Sequence, residues 1–314
     1  ERIRSGLMAW EGCIEGVLAA AELLMGESSP SGKLVDTFAK ELADYPSTDY
    51  FHESERFVDY TEDIYVGYRY FETIPNAADK VNYPFGFGLS YTDFVLNAGA
   101  AYEENGRIYV PVMVTNVGKM AGKEVVQIYF GAPQGKLGKP AKQLIAFQKT
   151  RLLQTGESQS MILSWDIDGM ASYDDLGKIR ESAYVLEKGS YCFYVGVSVR
   201  DAVELPYHYE MQADRIVQQL SRKCAPTSLR QRMLADGSFE ELPVTTPVET
   251  DANELVPLTV AETDGFAPAA RAGRRYHLWV NTMAQQHRFL REVAQGSITL
   301  DEFMGQLSDE DLAN

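Results

Sequence analysis

The chain has 314 residues, 45% of them hydrophobic and 11% aromatic, and 29 Lys and Arg against 45 Asp and Glu give a formal charge of −16. At about 150 residues per domain the length suggests roughly two domains, and the apolar content is ample for packed cores, which excludes wholesale disorder. A surface this acidic repels phosphate backbones, because nucleic-acid affinity comes mainly from Lys and Arg, so nucleic acid and anionic membranes are excluded as default partners.

The opening Glu1 to Trp10 has neither the layout of a signal peptide nor an initiator Met, and the chain is expected to start inside something longer. Leu7-Met8-Ala9-Trp10 reads as a short strand stopped by Glu11-Gly12. Ile14, Val17, Leu18, Ala21, Leu23, Leu24 and Met25 then recur at helical spacing until Gly26, placed as a C-cap. A parallel strand needs a sheet covered on both faces, so partners for this strand–turn–helix unit are expected upstream or in another chain. Residues 27–91 are rich in turns and aromatics, from Ser28-Ser29-Pro30-Ser31-Gly32 through Tyr60–Phe71 to Tyr83-Pro84-Phe85-Gly86-Phe87-Gly88. Such stretches inside compact proteins usually serve function or wrap another domain.

From Thr92 the apolar period changes to two. Phe94–Ala98, Arg107–Thr115, Glu124–Phe130, Gln143–Gln148, Gln159–Trp165, Ser182–Leu186 and Gly189–Gly196 are predicted strands separated by Asn, Gly and Pro turns. About seven short strands in somewhat more than a hundred residues point to an immunoglobulin-like or fibronectin type III sandwich. Beyond it, Gln212–Leu220 and Leu229–Leu234 read as short helices, Pro243–Pro268 as an extended linker, and Gly273–Asn314 as helical, with Thr299 and Glu302 forming a capping box. No run of eighteen apolar residues suggests a membrane span.

Motifs that carry chemistry are scarce. Cys13, Cys192 and Cys224 lie far apart and read as buried apolar fillers. His52, His208, His277 and His287 form no HExxH or HxH pattern, and no metal or cofactor is expected. There is no GxSxG, and Gly86-Phe87-Gly88 lacks the third glycine of a dinucleotide loop. Acidic Asp301, Asp309, Glu310 and Asp311 lack calcium-loop spacing and read as a solvated helix face. Glu11, Glu15, Glu53, Glu55, Glu62 and Asp63 lie in turns where a carboxylate could meet a substrate, although ion pairing with Arg56 or Arg69 is their ordinary use. Ligands of open α/β sheets bind beyond the carboxyl ends of strands, so Trp10 and Glu11 are the candidate pocket-rim residues, with Tyr68 and Arg69 next.

Several strings carry a family resemblance. Ala9-Trp10, Gly12, Glu15-Gly16, Leu24-Met25-Gly26-Glu27 and Pro30-Ser31-Gly32-Lys33-Leu34 resemble the end of the α/β-sandwich domain of family 3 glycoside hydrolases. Tyr60–Phe71 followed by Tyr83–Phe94 is similar to that family's most recognisable string. Thr115-Asn116-Val117-Gly118, Gly122–Gln127, Lys139-Pro140 and Thr155-Gly156-Glu157-Ser158 resemble its fibronectin type III-like domain. Asp236-Gly237-Ser238 and Val293–Leu312 resemble the lead-in to its catalytic (β/α)8 barrel, as in members that carry the barrel last.

The resemblance implies an α/β plus all-β architecture: the C-terminal part of an α/β sandwich domain with an aromatic linker over 1–91, a fibronectin type III-like domain over 92–210, and linker and helices over 211–314. It implies a retaining β-glucosidase whose nucleophile Asp lies on the barrel and whose acid/base Glu lies upstream of the Ala9-Trp10 motif. A barrel takes about 250 residues, more than remain after residue 210. Neither motif is present, so no catalytic residue is assigned to this chain. The partner implied is a barrel-bearing segment or chain, the substrate a β-glucoside, and homo-oligomers are allowed. The alternatives are another glycoside such as a β-xyloside, or a non-catalytic carbohydrate-binding or adhesion β-sandwich. Free-cysteine usage and acidity favour the cytoplasm.

Overall fold

A computed structural model of the chain describes residues 5–51, 58–221 and 229–243. Near its start, helix α1 (Ile14–Met25) ends where the sequence places its cap: Gly26 takes the left-handed φ of 76° that a side chain disfavours. The Gly26 N–H then donates to Leu23 O at 3.1 Å and Glu27 N–H to Glu22 O at 2.9 Å, satisfying carbonyls that the last turn would leave open. The strand expected at Leu7–Trp10 does not form, and Leu7, Met8 and Trp10 are exposed. The reason is physical: no described strand pairs with residues 5–10, and a strand has no stability without a ladder to receive its N–H and C=O groups.

The described residues between Pro30 and Tyr91 form short pieces, part of which dock on the sandwich. Strands β1 (Phe38–Ala39) and β2 (Val81–Tyr83) pair antiparallel, and the one-turn helix α2 (Tyr68–Phe71) contributes Phe71 to a small core with Ala77 and Val81. The turn Pro84–Gly88 docks by backbone hydrogen bonds, Val199 N–H to Phe85 O at 3.1 Å and Gly86 N–H to Leu34 O at 2.8 Å. Gly86 is required there twice over. Its φ is 81°, and a Cβ would press on the Gln127 side chain and stand 2.9 Å from the Ser198 Cα.

The sandwich follows. One sheet is built on β5 (Arg107–Asn116), which pairs along one edge with β3 (Phe94–Ala98) and β4 (Tyr102–Glu104) and along the other with β8 (Ser158–Asp166). Alternation in β5 puts Ile108, Val110, Val112 and Val114 inside, which is the period-two burial expected of a strand with one core face. The second sheet runs β12-β11-β6-β7, formed by β6 (Val125–Gly131), β7 (Gln143–Lys149), β11 (Gly189–Gly196) and β12 (Val203–Met211). A third, smaller sheet orders β13 (Arg215–Gln219), β10 (Ala183–Leu186) and β9 (Ser172–Asp174). Val126, Ile128, Phe130, Tyr191, Phe193 and Val195 meet Ile108 to Val114, Met161, Leu163 and Trp165 in one core. Burying each such side chain is worth about 1.5–3 kcal/mol, so this layer carries most of the stability.

Strand β6 is covered on both faces. Its inward residues join that core, while Tyr129 packs with Val199 and Ala202 against Tyr68 and Phe85 of the preceding segment. Lys33 adds an ion pair to Glu124 at 2.8 Å, nine-tenths shielded from water on both sides. Tyr68 and Phe85 of the aromatic stretch therefore pack onto the outer face of the second sheet.

Two helices predicted beyond residue 210 are strands instead. Residues 215–219 form β13, which pairs with β10 and turns Val217 onto the core. Residues 231–241 form a hairpin of β14 (Gln231–Met233) and β15 (Phe239–Glu241). Its turn holds Asp236-Gly237, with Gly237 at φ 84° and Leu234 N–H bonded to Ser238 O at 2.7 Å. Short apolar runs fit both periods, and here available ladder partners decide for strand. The linker expected over 243–268 and the helices expected over 273–314 lie outside the described residues, apart from Pro243.

Candidate functional site

The rim candidates fall in two places. Trp10 stands just ahead of α1 with 65% of its surface exposed, held at a left-handed φ of 51°, and Glu11 follows it, also exposed. A non-glycine residue in that conformation carries a strain of about 1–3 kcal/mol. Its indole presents a large apolar face that could stack on a sugar ring. Glu15, on the first turn of α1, is exposed as well.

Tyr68 and Arg69 sit on α2, half-buried. The Tyr68 hydroxyl accepts the Leu144 N–H at 2.9 Å, and its ring lies 4.6 Å from Phe85 and 6.0 Å from Tyr129. These contacts give Tyr68 a structural use, joining α2 to the sandwich.

The carboxylates of the same segment enter a different arrangement. Thr61, Glu62 and Tyr65 are buried, and the Thr61 hydroxyl, one Glu62 oxygen and the Tyr65 hydroxyl have no hydrogen-bond partner. Burial and the Asp63 charge push the Tyr65 hydroxyl up to about 12. Asp63 itself is raised, chiefly by desolvation, with neighbouring Asp175, Glu240 and Glu62 adding to it and Arg232 opposing. Arg232 gathers these charges: its guanidinium grips Asp175 at 2.8 and 2.9 Å, Glu240 at 2.7 Å and Asp63 at 3.7 Å. Lys178 donates to Glu240 at 3.0 Å. The hairpin β14–β15 is thus stapled to the loop after β9 and to the Tyr60–Tyr65 segment. A carboxylate already committed to a guanidinium is a poor proton shuttle, and this network reads as structure. Glu53, Glu55 and Arg56 lie outside the described residues.

Elsewhere, a solvent-facing hollow of about 690 Å³ is lined by Glu103, Asp166, Asp168, Tyr209 and Arg215. Its aspartates are also paired, Asp166 with Arg107 at 2.6 Å and Asp168 with Arg215. The one described trio able to hold a metal is Cys192, Glu204 and His208, which the sequence reading missed. No spacing motif signals it, since strand register alone brings it together. Contrary to the filler reading of the cysteines, Cys13 is exposed and Cys192 only half-buried; Cys224 lies outside the described residues.

Comparison with known proteins assigns the framework. Residues 1–91 match the glycosyl hydrolase family 3 C-terminal domain, and residues 124–199 match the fibronectin type III-like domain. Beta-glucosidase A of Butyrivibrio fibrisolvens is 52% identical over all of this chain. The chain belongs to glycosyl hydrolase family 3.

It spans 40% of that relative's own length. Among solved structures, a β-glucosidase from Paenibacillus barengoltzii is 41% identical with a TM-score of 0.69, covering 95% of this chain and 32% of that one. β-Glucosidase 3B from Thermotoga neapolitana, solved with α-D-glucose, is 36% identical with a TM-score of 0.58, covering 65% of this chain and 28% of that one. The family 3 strings identified in the sequence have structural uses: Asn116 of Thr115-Asn116-Val117-Gly118 is buried and bonds Thr92, Met120 O, Leu153 O and the Gly118 N–H, locking the ends of β5 and its neighbours. Among the described residues no helix is long and apolar enough to cross a membrane.

Proposed function

We propose that this chain is the non-barrel portion of a retaining β-glucosidase that releases terminal β-D-glucosyl residues, with Trp10 and Glu11 on the pocket rim. The observation that carries the proposal is 52% identity along the whole chain to a β-glucosidase. In this reading residues 1–91 end an α/β sandwich domain, 92–210 form the fibronectin type III-like domain, and 211–314 lead toward a barrel that supplies the nucleophile. The acid/base Glu comes from polypeptide preceding the Ala9-Trp10 motif. A retaining pair has to stand about 5–5.5 Å apart across the glycosidic bond. Asp63, Asp166, Asp168, Asp175 and Glu240 are instead committed to ion pairs, and Glu62 is buried.

Trp10 is the leading rim residue because its indole is exposed, while Glu11 follows it into the turn. Tyr68 and Arg69 are second candidates, with the Tyr68 contacts favouring a joint between segment and sandwich. The working assembly is a barrel-bearing polypeptide together with this portion, acting in the cytoplasm, and homo-oligomers are compatible with it.

Two measurements test this. The 314-residue chain alone should not hydrolyse an aryl β-glucoside, whereas protein that also carries the barrel should; turnover by the chain alone overturns the reading. In that longer protein, Trp10→Ala should raise KM about five-fold, the equivalent of roughly 1 kcal/mol of lost stacking, with kcat nearly kept. An unchanged KM removes Trp10 from the rim.

A further inference from the structure

Strands β11 and β12 pair antiparallel with an irregular register. Cys192 stands opposite His208 and Tyr194 opposite Glu204, so two extra residues bulge from β12 between these pairs, around Pro206. On a regular strand, residues four apart lie about 13 Å from each other, too far for their side chains to share a small ligand. The bulge shortens that span and turns both side chains one way. His208 Nε2 consequently lies 3.1 Å from a Glu204 carboxylate oxygen. The Cys192 sulfur joins them, and all three potential ligand atoms lie within 4.8 Å of one another.

We infer that Cys192, Glu204 and His208 bind one divalent cation of the borderline-soft class, zinc foremost, with water completing a tetrahedron. The donor set is the argument for that class. A thiolate and an imidazole favour zinc or cobalt(II) over magnesium or calcium, which take oxygen ligands. Tetrahedral zinc with ligand bonds of about 2.0–2.3 Å holds its donor atoms roughly 3.3–3.6 Å apart, so the trio reaches binding geometry by contracting about 1 Å. Glu204 and His208 are exposed, and exposed side chains rotate freely enough to make that move.

The surroundings suit a cation. Tyr194 stands opposite Glu204 across the β11–β12 pairing, beside the ligating carboxylate. Lys142 is the competing cation, since it feels the Glu204 charge, but its ammonium is engaged by the Tyr194 ring at 4.6 Å and by Val199 O at 3.1 Å. When the ion binds, the Cys192 sulfur gives its proton to solvent and takes the metal in its place. The physical effect is a clamp: β12 is an edge strand, and the ion would tie it to β11 across the bulge.

Cobalt(II) titration of the reduced, chelator-stripped full chain tests this. The expected result is a thiolate-to-cobalt charge-transfer band that saturates at one equivalent and is displaced by zinc. Cys192→Ser should abolish the band, while the double variant Cys13→Ser, Cys224→Ser keeps it. His208→Ala and Glu204→Gln should each weaken cobalt binding about ten-fold or more. These are surface changes, and an unaltered far-ultraviolet circular dichroism spectrum verifies the fold. Absence of the band, its persistence in Cys192→Ser, or its indifference to both His208→Ala and Glu204→Gln overturns the site.

Discussion

Helix α1 and strand β11 are both predominantly apolar, yet they meet opposite fates. In β11, Tyr191 and Phe193 are completely buried, whereas on α1 Val17, Leu18, Leu24 and Met25 are 56–73% exposed. Both elements form because their local patterns and caps agree with their geometry. What separates them is whether a second apolar surface is present to cover the first. Side-chain burial stabilises β11 by about 1.5–3 kcal/mol per residue, and α1 gains almost none of this from the described residues. A continuous apolar helix face in water is a surface that some neighbour normally covers.

The largest test of that contrast truncates the buried side. Phe193→Ala should cost the chain about 3–5 kcal/mol, read as a fall in the urea midpoint at unchanged slope. A loss under 1 kcal/mol would mean that the core is not packed as described.

A second test of similar size uses charge in place of volume. Lys139 and Glu187 form a buried ion pair, and Glu187 also accepts the Lys136 N–H at 2.6 Å and the Leu137 N–H at 3.2 Å. Lys139→Met leaves that carboxylate buried without its cation and should cost about 3 kcal/mol or more. Adding Glu187→Gln should restore part of the loss, and simple additivity of the two changes would refute coupling.

An intermediate effect is expected at Asp174. Its buried carboxylate accepts four backbone N–H groups, from Gly177, Lys178, Ile179 and Arg180 at 2.6–3.0 Å. Burial alone would raise its pKa, but these donors outweigh it and hold the carboxyl below its ordinary value of 3.8. A depressed carboxyl stabilises the fold above its unfolded pKa and loses that contribution as pH falls toward the folded value. Asp174→Asn should therefore cost about 1–3 kcal/mol at neutral pH, and the gap from the parent chain should close below pH ~4. A gap that stays constant down to acid denaturation contradicts the assignment.

The smallest effect is expected on the uncovered helix. Leu24→Ala should change the stability of this chain by no more than about 0.5 kcal/mol, because little contact is lost. A cost near that of Phe193→Ala would show that α1 is covered after all, within the chain or by a second copy, and equilibrium sedimentation would distinguish these.

The parts of the fold that were legible are those where local pattern and partner agree. Alternation marked β5, β8 and β11, and Gly26 marked the end of α1. Strand β12 escaped notice because Pro206 interrupts it, although an edge strand with a bulge tolerates a proline. Strands β13 and β14 fall where the sequence reads as short helices, although Asp236-Gly237 just after β14 is a hairpin signal. At the candidate rim the strand before Trp10 was predicted and is absent, since its formation depends on neighbours that a local pattern does not reveal. The Cys192, Glu204 and His208 trio was invisible for a related reason: it exists only through a two-residue slip in pairing, which no spacing rule encodes.

The seat of the Pro84–Gly88 turn on β6 has a consequence for anyone cutting this protein into modules. Excising the sandwich at residue 92 would strip Tyr68 and Phe85 from Tyr129 and Val199, turning a sealed joint into a sticky facet. A transplantable unit has to take its aromatic collar, Gly67 to Tyr91, along with it.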